Sequence, residues 1–245
     1  MNATRSEKFR ILVVGDVISS RTAENSEADR LRRLRGSETP QFGGAANIAR
    51  IAAGLGATVG FLLLGQVDVA TRLRQISHFH SLLPQYSVII FSDYRHCALI
   101  DLNHMVASAR RAGKRVLLDL DGGRFGMFTD ASLMTSDVGT LRRLVGTWRG
   151  ERELGLRMTN LLFGSKCEGF LVNRHDSGIS LYVPGGVIHF ANVVRCDTHY
   201  LLAALAVSLK AGASISLGVS EVSDRFDPAT STLALDISRQ ETMSL

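Results

Sequence analysis

The stretch QFGGAANIARIAAGLGATVGFLLLG, Gln41–Gly65, decides the fold class. It opens on two glycines and runs on as an Ala- and Ile-rich helix, Ala45–Leu55. Gly56 closes that helix, and a second apolar run, Thr58–Gly65, reads as a strand. Upstream, Ile11–Gly15 (ILVVG) is a short apolar run ending on glycine, the pattern of a strand buried on both faces. Strand, helix and strand in that order predict a parallel pair joined by a crossover helix.

The alternation continues downstream. Thr71–Leu83 reads as a helix ending before Pro84, Ser87–Ser92 as a strand, and Leu102–Ala112 as a helix closed by Gly113. Arg115–Asp119 and Ser132–Thr135 read as strands, Val138–Val145 and Glu151–Phe163 as helices. Gly169–Asn173 and Ile179–Val183 are strands around the turn Asp176-Ser177-Gly178, and Thr198–Lys210 is a long apolar helix. From Ser214 on the chain is Ser- and Asp-rich and weakly patterned; Val17–Gln41 is polar, with the basic run RLRRLR inside it. The expectation is one α/β domain over residues 1–245, a mostly parallel sheet between helix layers. Residues 17–42 would form a reduced or mobile lid, and 214–245 a weakly structured end.

Composition narrows the function classes. The 245 residues are 45% hydrophobic and 21% charged, enough to bury a core. A net charge of +5 permits an anionic ligand. No basic–aromatic interleaving points to nucleic acid. The longest apolar run, Val59–Leu64, is too short for a bilayer, so no membrane partner is expected. Cys97, Cys167 and Cys196 are far apart and form no CxxC pair, which points to a reducing, cytoplasmic setting.

Ligands of such sheets gather at the carboxyl ends of the strands. Gly15-Asp16, Ser92-Asp93, Asp119 and Thr135–Asp137 all fall there. At Gly43-Gly44-Ala45-Ala46-Asn47 the glycines permit close backbone approach and the helix start offers N–H groups to an anion, with Asn47 placed to bond a hydroxyl. A Gly-rich turn packing a small-residue helix explains the same residues. His78-Phe79-His80 puts two imidazoles on different sides of a helix, so packing is favoured over a metal. Cys196 and Trp148 read as packing residues, and Arg30–Arg35 as a solvated basic face.

The segments ILVVGDV (Ile11–Val17), QFGGAANIARIAAGLG (Gln41–Gly56), LLPQYSVIIFSDY (Leu82–Tyr94) and ARRAGKRVLLD (Ala109–Asp119) resemble the ribokinase-like (PfkB) sugar kinases. The likeness is nearest to the heptose 7-phosphate kinase domain of ADP-heptose synthesis, a step toward lipopolysaccharide. It continues in order through Ala203–Gly212. The resemblance implies a three-layer α/β/α fold with a β lid, and transfer of the ATP γ-phosphoryl group to a sugar-phosphate hydroxyl with Mg²⁺. By the same resemblance Asp16, Gly43, Gly44, Asn47 and Asp93 would meet the sugar phosphate. Asp137, Arg174, Gly178, Arg195 and Thr198 would lie along the nucleotide, and a homodimer is an allowed assembly.

The chain also departs from that pattern. The family's GAGD stretch is here Val194-Arg195-Cys196-Asp197-Thr198-His199-Tyr200, without glycine. Aligned through AALAVSLKAG (Ala203–Gly212), the base position holds His199. Aligned on Asp-Thr, it holds Asp197, two residues away and about 200° around a helix. A Glu that helps arrange Mg²⁺ becomes Thr140, Asp-Pro-Lys becomes Asp119-Leu120-Asp121, and the segment from Gly65 to Thr71 is shortened. The expectation is a retained fold with eroded catalytic motifs. The alternative is a non-catalytic relative that binds a sugar phosphate or a protein partner.

Overall fold

A computed structural model describes residues 9–15, 44–64, 68–92, 99–120, 130–209, 213–227 and 232–233. Asp16, Gly43 and Asp93, the stretch 17–42 and Cys97 fall outside the described residues.

An eight-stranded sheet forms the middle layer. Its strands are β1 (Arg10–Gly15), β2 (Thr58–Leu63), β3 (Val88–Phe91), β4 (Arg115–Asp119), β5 (Leu133–Asp137), β6 (Gly169–Asn173), β7 (Ile179–Val183) and β8 (Gly186–Phe190). The spatial order is β2-β1-β3-β4-β5-β6-β7-β8. Pairings from β2 to β6 are parallel, and those of β6 with β7 and β7 with β8 are antiparallel. Ile11, Leu12, Val13 and Val14 are wholly buried, as an inner strand covered on both faces requires.

The helices are α1 (Gly44–Gly54), α2 (Val69–Leu82), α3 (Leu99–Arg111), α4 (Val138–Val145), α5 (Glu151–Ser165), α6 (Thr198–Ser208) and α7 (Ile215–Arg225). Two hydrophobic clusters show the layering. Leu12, Val14, Ile89 and Phe91 pack with Phe79 of α2, Met105 of α3, Leu141 of α4 and Met158 of α5. The alternate residues Ile11, Val13, Val88 and Ile90 pack with Ile48 of α1, Leu202 of α6 and Val219 of α7. The period-two alternation of each strand thus feeds two cores, one on either face.

Several limits coincide with the sequence expectation, among them Arg115–Asp119, Val138–Val145, Gly169–Asn173 and Ile179–Val183. Three differ. The strand expected over Ser132–Thr135 runs to Asp137, which then caps α4. GVIHF is an edge strand, β8, that sequence reading passes over. The stretch from Ser214 contains α7, whose Ile215, Val219 and Val222 fall on one buried face and whose N-cap Ser214 accepts from the Leu217 N–H. Helical spacing is present there, diluted by Ser and Gly. β2 reaches α2 between Leu63 and Val69 with no further described element. No described helix is long and apolar enough to cross a membrane.

Candidate functional site

Strand order reverses at β1, which has β2 on one side and β3 on the other. Such a switch point opens a crevice beyond the carboxyl ends of the two central strands. The chains there run close: a Cβ on Gly15 would lie 1.8 Å from the Ser92 carbonyl oxygen. Four described residues converge at this end.

Gly44 starts α1. A Cβ placed on it would stand 2.7 Å from His199 Nε2 and 3.2 Å from Ser92 Oγ, so only glycine leaves the imidazole where it is. Ser92, wholly buried at the end of β3, donates its hydroxyl to Asp119 Oδ2 at 2.8 Å. Asp119 ends β4 and is 5% exposed, and Thr135 Oγ1 lies 3.4 Å from its other oxygen. His199, in the first turn of α6, holds Nε2 3.7 Å from Asp119 Oδ2 and Nδ1 3.7 Å from Asp197 Oδ1. A carboxylate buried this deeply needs hydrogen-bond donors, and the Ser92 and Thr135 hydroxyls stand beside its two oxygens. Asn47 sits one turn into α1, its Oδ1 accepting from Arg50 at 3.0 Å.

Across the sheet the expected nucleotide residues have internal partners. Asp137 caps α4, accepting the Thr140 N–H at 2.5 Å, and the Thr140 hydroxyl accepts from Arg143 at 2.9 Å. Arg174 makes a two-pronged ion pair with Glu151, at 2.7 and 2.8 Å, and donates to the Tyr182 hydroxyl at 2.6 Å. Arg174's hydrogen bonds hold the Glu151 carboxyl below its usual range, and Glu151 raises the Arg174 guanidinium in return. Burial pushes the Tyr182 hydroxyl up. Gly178, at φ +80, closes the β6–β7 turn.

The start of α6 is tied down from two sides. Asp197 is its N-cap, its carboxylate accepting the Tyr200 N–H at 3.0 Å. Asn173, 1% exposed at the end of β6, donates to the Cys196 carbonyl at 2.8 Å and approaches Thr198 Oγ1 at 3.2 Å. Arg195 has φ +53, a conformation glycine favours, and pairs in open solvent with Asp176 at 2.6 Å. Burial, with the Asp197 charge second, pushes the Cys196 thiol up to about 12, so this cysteine packs as a neutral filler.

The residues at the expected Mg²⁺ positions have protein partners. Asp137 is engaged with a backbone N–H and Thr140 with Arg143. Among the described residues no group of three His, Cys, Asp or Glu could hold a metal. Phe79 is core, and the His80 ring lies 5.4 Å from that of His104.

Ser92 and Asp119 stand at strand ends that the sequence marks without assigning them a role, and Asn173 it passes over. Their signal is a single polar residue closing an apolar strand, as in VIIFS, RVLLD and GFLVN.

No protein-family model matches the chain. Bifunctional protein HldE of Shewanella amazonensis is 28% identical over 276 residues, covering 85% of this chain and 57% of that protein. HldE of Aeromonas hydrophila is 28% identical over 274 residues with the same coverage. The chain thus spans about half the length of these curated relatives. Both aligned spans exceed this chain's own 245 residues, so the relatives carry insertions that it lacks. Among solved structures, Escherichia coli phosphofructokinase-2 in complex with fructose-6-phosphate superposes with a TM-score of 0.62, 12% identity and 92% of each chain covered. Arabidopsis thaliana ribokinase complexed with ribose and ATP gives 0.62, 13% identity, and 94% and 93% coverage. The fold is therefore ribokinase-like, and the chain resembles the ribokinase-like carbohydrate kinases.

Proposed function

We propose that this chain is a sugar kinase of the ribokinase type, taking ATP and a phosphorylated sugar of the heptose 7-phosphate kind. The observation that carries the reading is His199 Nε2, brought against Gly44 at the strand-order switch with the buried Asp119 carboxylate 3.7 Å away. His199 is the base in this reading, and Asp197 the helix cap. Gly44 and Asn47, with Asp16, Gly43 and Asp93, bind the sugar phosphate. Thr198, Arg195, Gly178, Arg174 and Asp137 line the nucleotide side. The sugar hydroxyl loses its proton to His199, its oxygen bonds to the γ-phosphorus of ATP, and the bond from that phosphorus to the bridging oxygen breaks, releasing ADP. The chain's contribution is positioning and charge, which dominate such transfers.

A second reading is a relative that binds a sugar phosphate, or a protein partner, without transfer. The Asp197 carboxylate favours it, since that charge occupies the helix start where phosphate oxygens would be received. Calorimetric titration with ATP and Mg²⁺ separates the two, followed by ADP release across a panel of heptose and hexose phosphates. The kinase reading expects ATP binding and sugar-dependent ADP release. It also expects His199→Gln to lower turnover about 100-fold or more while ATP still binds. No ATP binding by well-folded protein overturns it and leaves the second reading.

A further inference from the structure

We propose that Asp119 is the positioning residue of His199: it holds the imidazole against Gly44 and meets the charge the ring acquires on taking a proton. The inference rests on His199 being the base and deepens that reading.

The geometry has three parts. The carboxylate is fixed independently of the ring, because the buried Ser92 hydroxyl donates to Oδ2 at 2.8 Å and Thr135 Oγ1 flanks Oδ1. The same edge of the ring is confined by Gly44, where even one added carbon would sit 2.7 Å from Nε2. When His199 takes a proton, both ring nitrogens carry N–H groups, and each has a carboxylate 3.7 Å away. The two carboxylates are not equivalent. The Asp119 side chain is 8% exposed and that of Asp197 62%. A charge in a low-dielectric wall acts more strongly than one screened by water. Asp119 therefore dominates, and Asp197 contributes the lesser share while capping α6.

The test uses full-length protein labelled with ¹⁵N in its histidine rings, the His199 resonances being assigned by their loss in His199→Gln. Asp119→Asn keeps the side-chain shape and removes the charge. It is expected to move the His199 Nε2 resonance, whereas Glu153→Gln, on α5 in the opposite helix layer, leaves it in place. An unmoved resonance in folded Asp119→Asn overturns the proposal. Should Asp119→Asn fail to fold, Ser92→Ala loosens the carboxylate without removing it. It is expected to move the same resonance by less, and no movement then overturns the proposal. The kinetic arm expects Asp119→Asn to lower kcat about tenfold with KM within twofold, and an unchanged kcat overturns the proposal. A wild-type protein without turnover overturns the kinase reading alone, and the ring resonance still decides the role of Asp119.

Discussion

The two halves of the strand-end surface are built differently. On the β1–β3–β4 side a glycine, a serine hydroxyl, a buried carboxylate and an imidazole converge, with Asp119 and His199 3.7 Å apart rather than in a closed hydrogen bond. On the β5–β8 side the polar groups close on one another: Arg174 on Glu151 and Tyr182, Arg195 on Asp176, Asp197 on the Tyr200 N–H. The first half gathers polar atoms from two strand ends and one helix around a single glycine. The second commits them to one another and to the cap of α6. A residue type at the right place is thus not enough for binding, because its partners decide whether it serves a ligand or the fold.

The largest effect expected from breaking this contrast lies in the second half. Gly178 has φ +80, and a Cβ there would stand 2.2 Å from the Phe190 carbonyl oxygen, a backbone atom that cannot step aside. Gly178→Ala should cost about 3 kcal/mol or more, lowering Tm by roughly 10 °C. A loss below 1 kcal/mol in thermal melts would mean that the turn is not what fixes β7 against β6.

The same substitution in the first half should do the opposite. In Gly44→Ala the crowded atoms are side-chain ends, His199 Nε2 and Ser92 Oγ, which can move. Stability should change by less than about 1 kcal/mol, while transfer falls on the order of 100-fold because the imidazole is displaced. Full turnover with an unchanged ring position would place the chemistry elsewhere.

Much of this frame is legible in the sequence, for a physical reason. RVLLD and GFLVN are inner strands whose apolar runs must be buried, so composition and limits coincide. GVIHF is an edge strand with Val187 and Ile188 both exposed, and no alternation marks it. The glycine-led start of α1 is equally plain. The convergence of Ser92, Asp119 and His199 is not, because two strand ends and one helix supply them and only the sheet order brings them together. Matching motifs alone leaves Asp197 and His199 as rivals. Helix α6 starting at Thr198 gives them separate tasks, Asp197 as cap and His199 facing Gly44.

That division can be sharpened with Asp197→Asn. Asparagine caps a helix about as well as aspartate, so stability should stay within about 0.5 kcal/mol. Removing the charge from the helix start should tighten ATP binding a few-fold and leave turnover within about threefold. Loss of turnover by 100-fold or more, with folding intact, would return the base to Asp197 and take His199 out of the chemistry.

The smallest effect expected concerns the Arg174 cluster and is read against pH. Arg174's hydrogen bonds depress the Glu151 carboxyl below its usual 4.5 in the folded chain. A carboxyl so depressed stabilises the fold above the unfolded value, and that contribution fades as pH falls through the lowered folded value. Wild type should therefore melt above Glu151→Gln at pH 7, and the gap should close as acid protonates Glu151 in the folded state. With the Glu151 side chain 67% exposed, solvent screens the pair and the gap should be no more than a few degrees. ATP affinity, measured on the same two proteins, separates the cluster's two possible employments. If Arg174 is committed to the fold, freeing it from Glu151 leaves affinity as it was or improves it. If the pair with Glu151 aims Arg174 at the nucleotide, affinity drops, and the contrast between the two halves is lost at this residue.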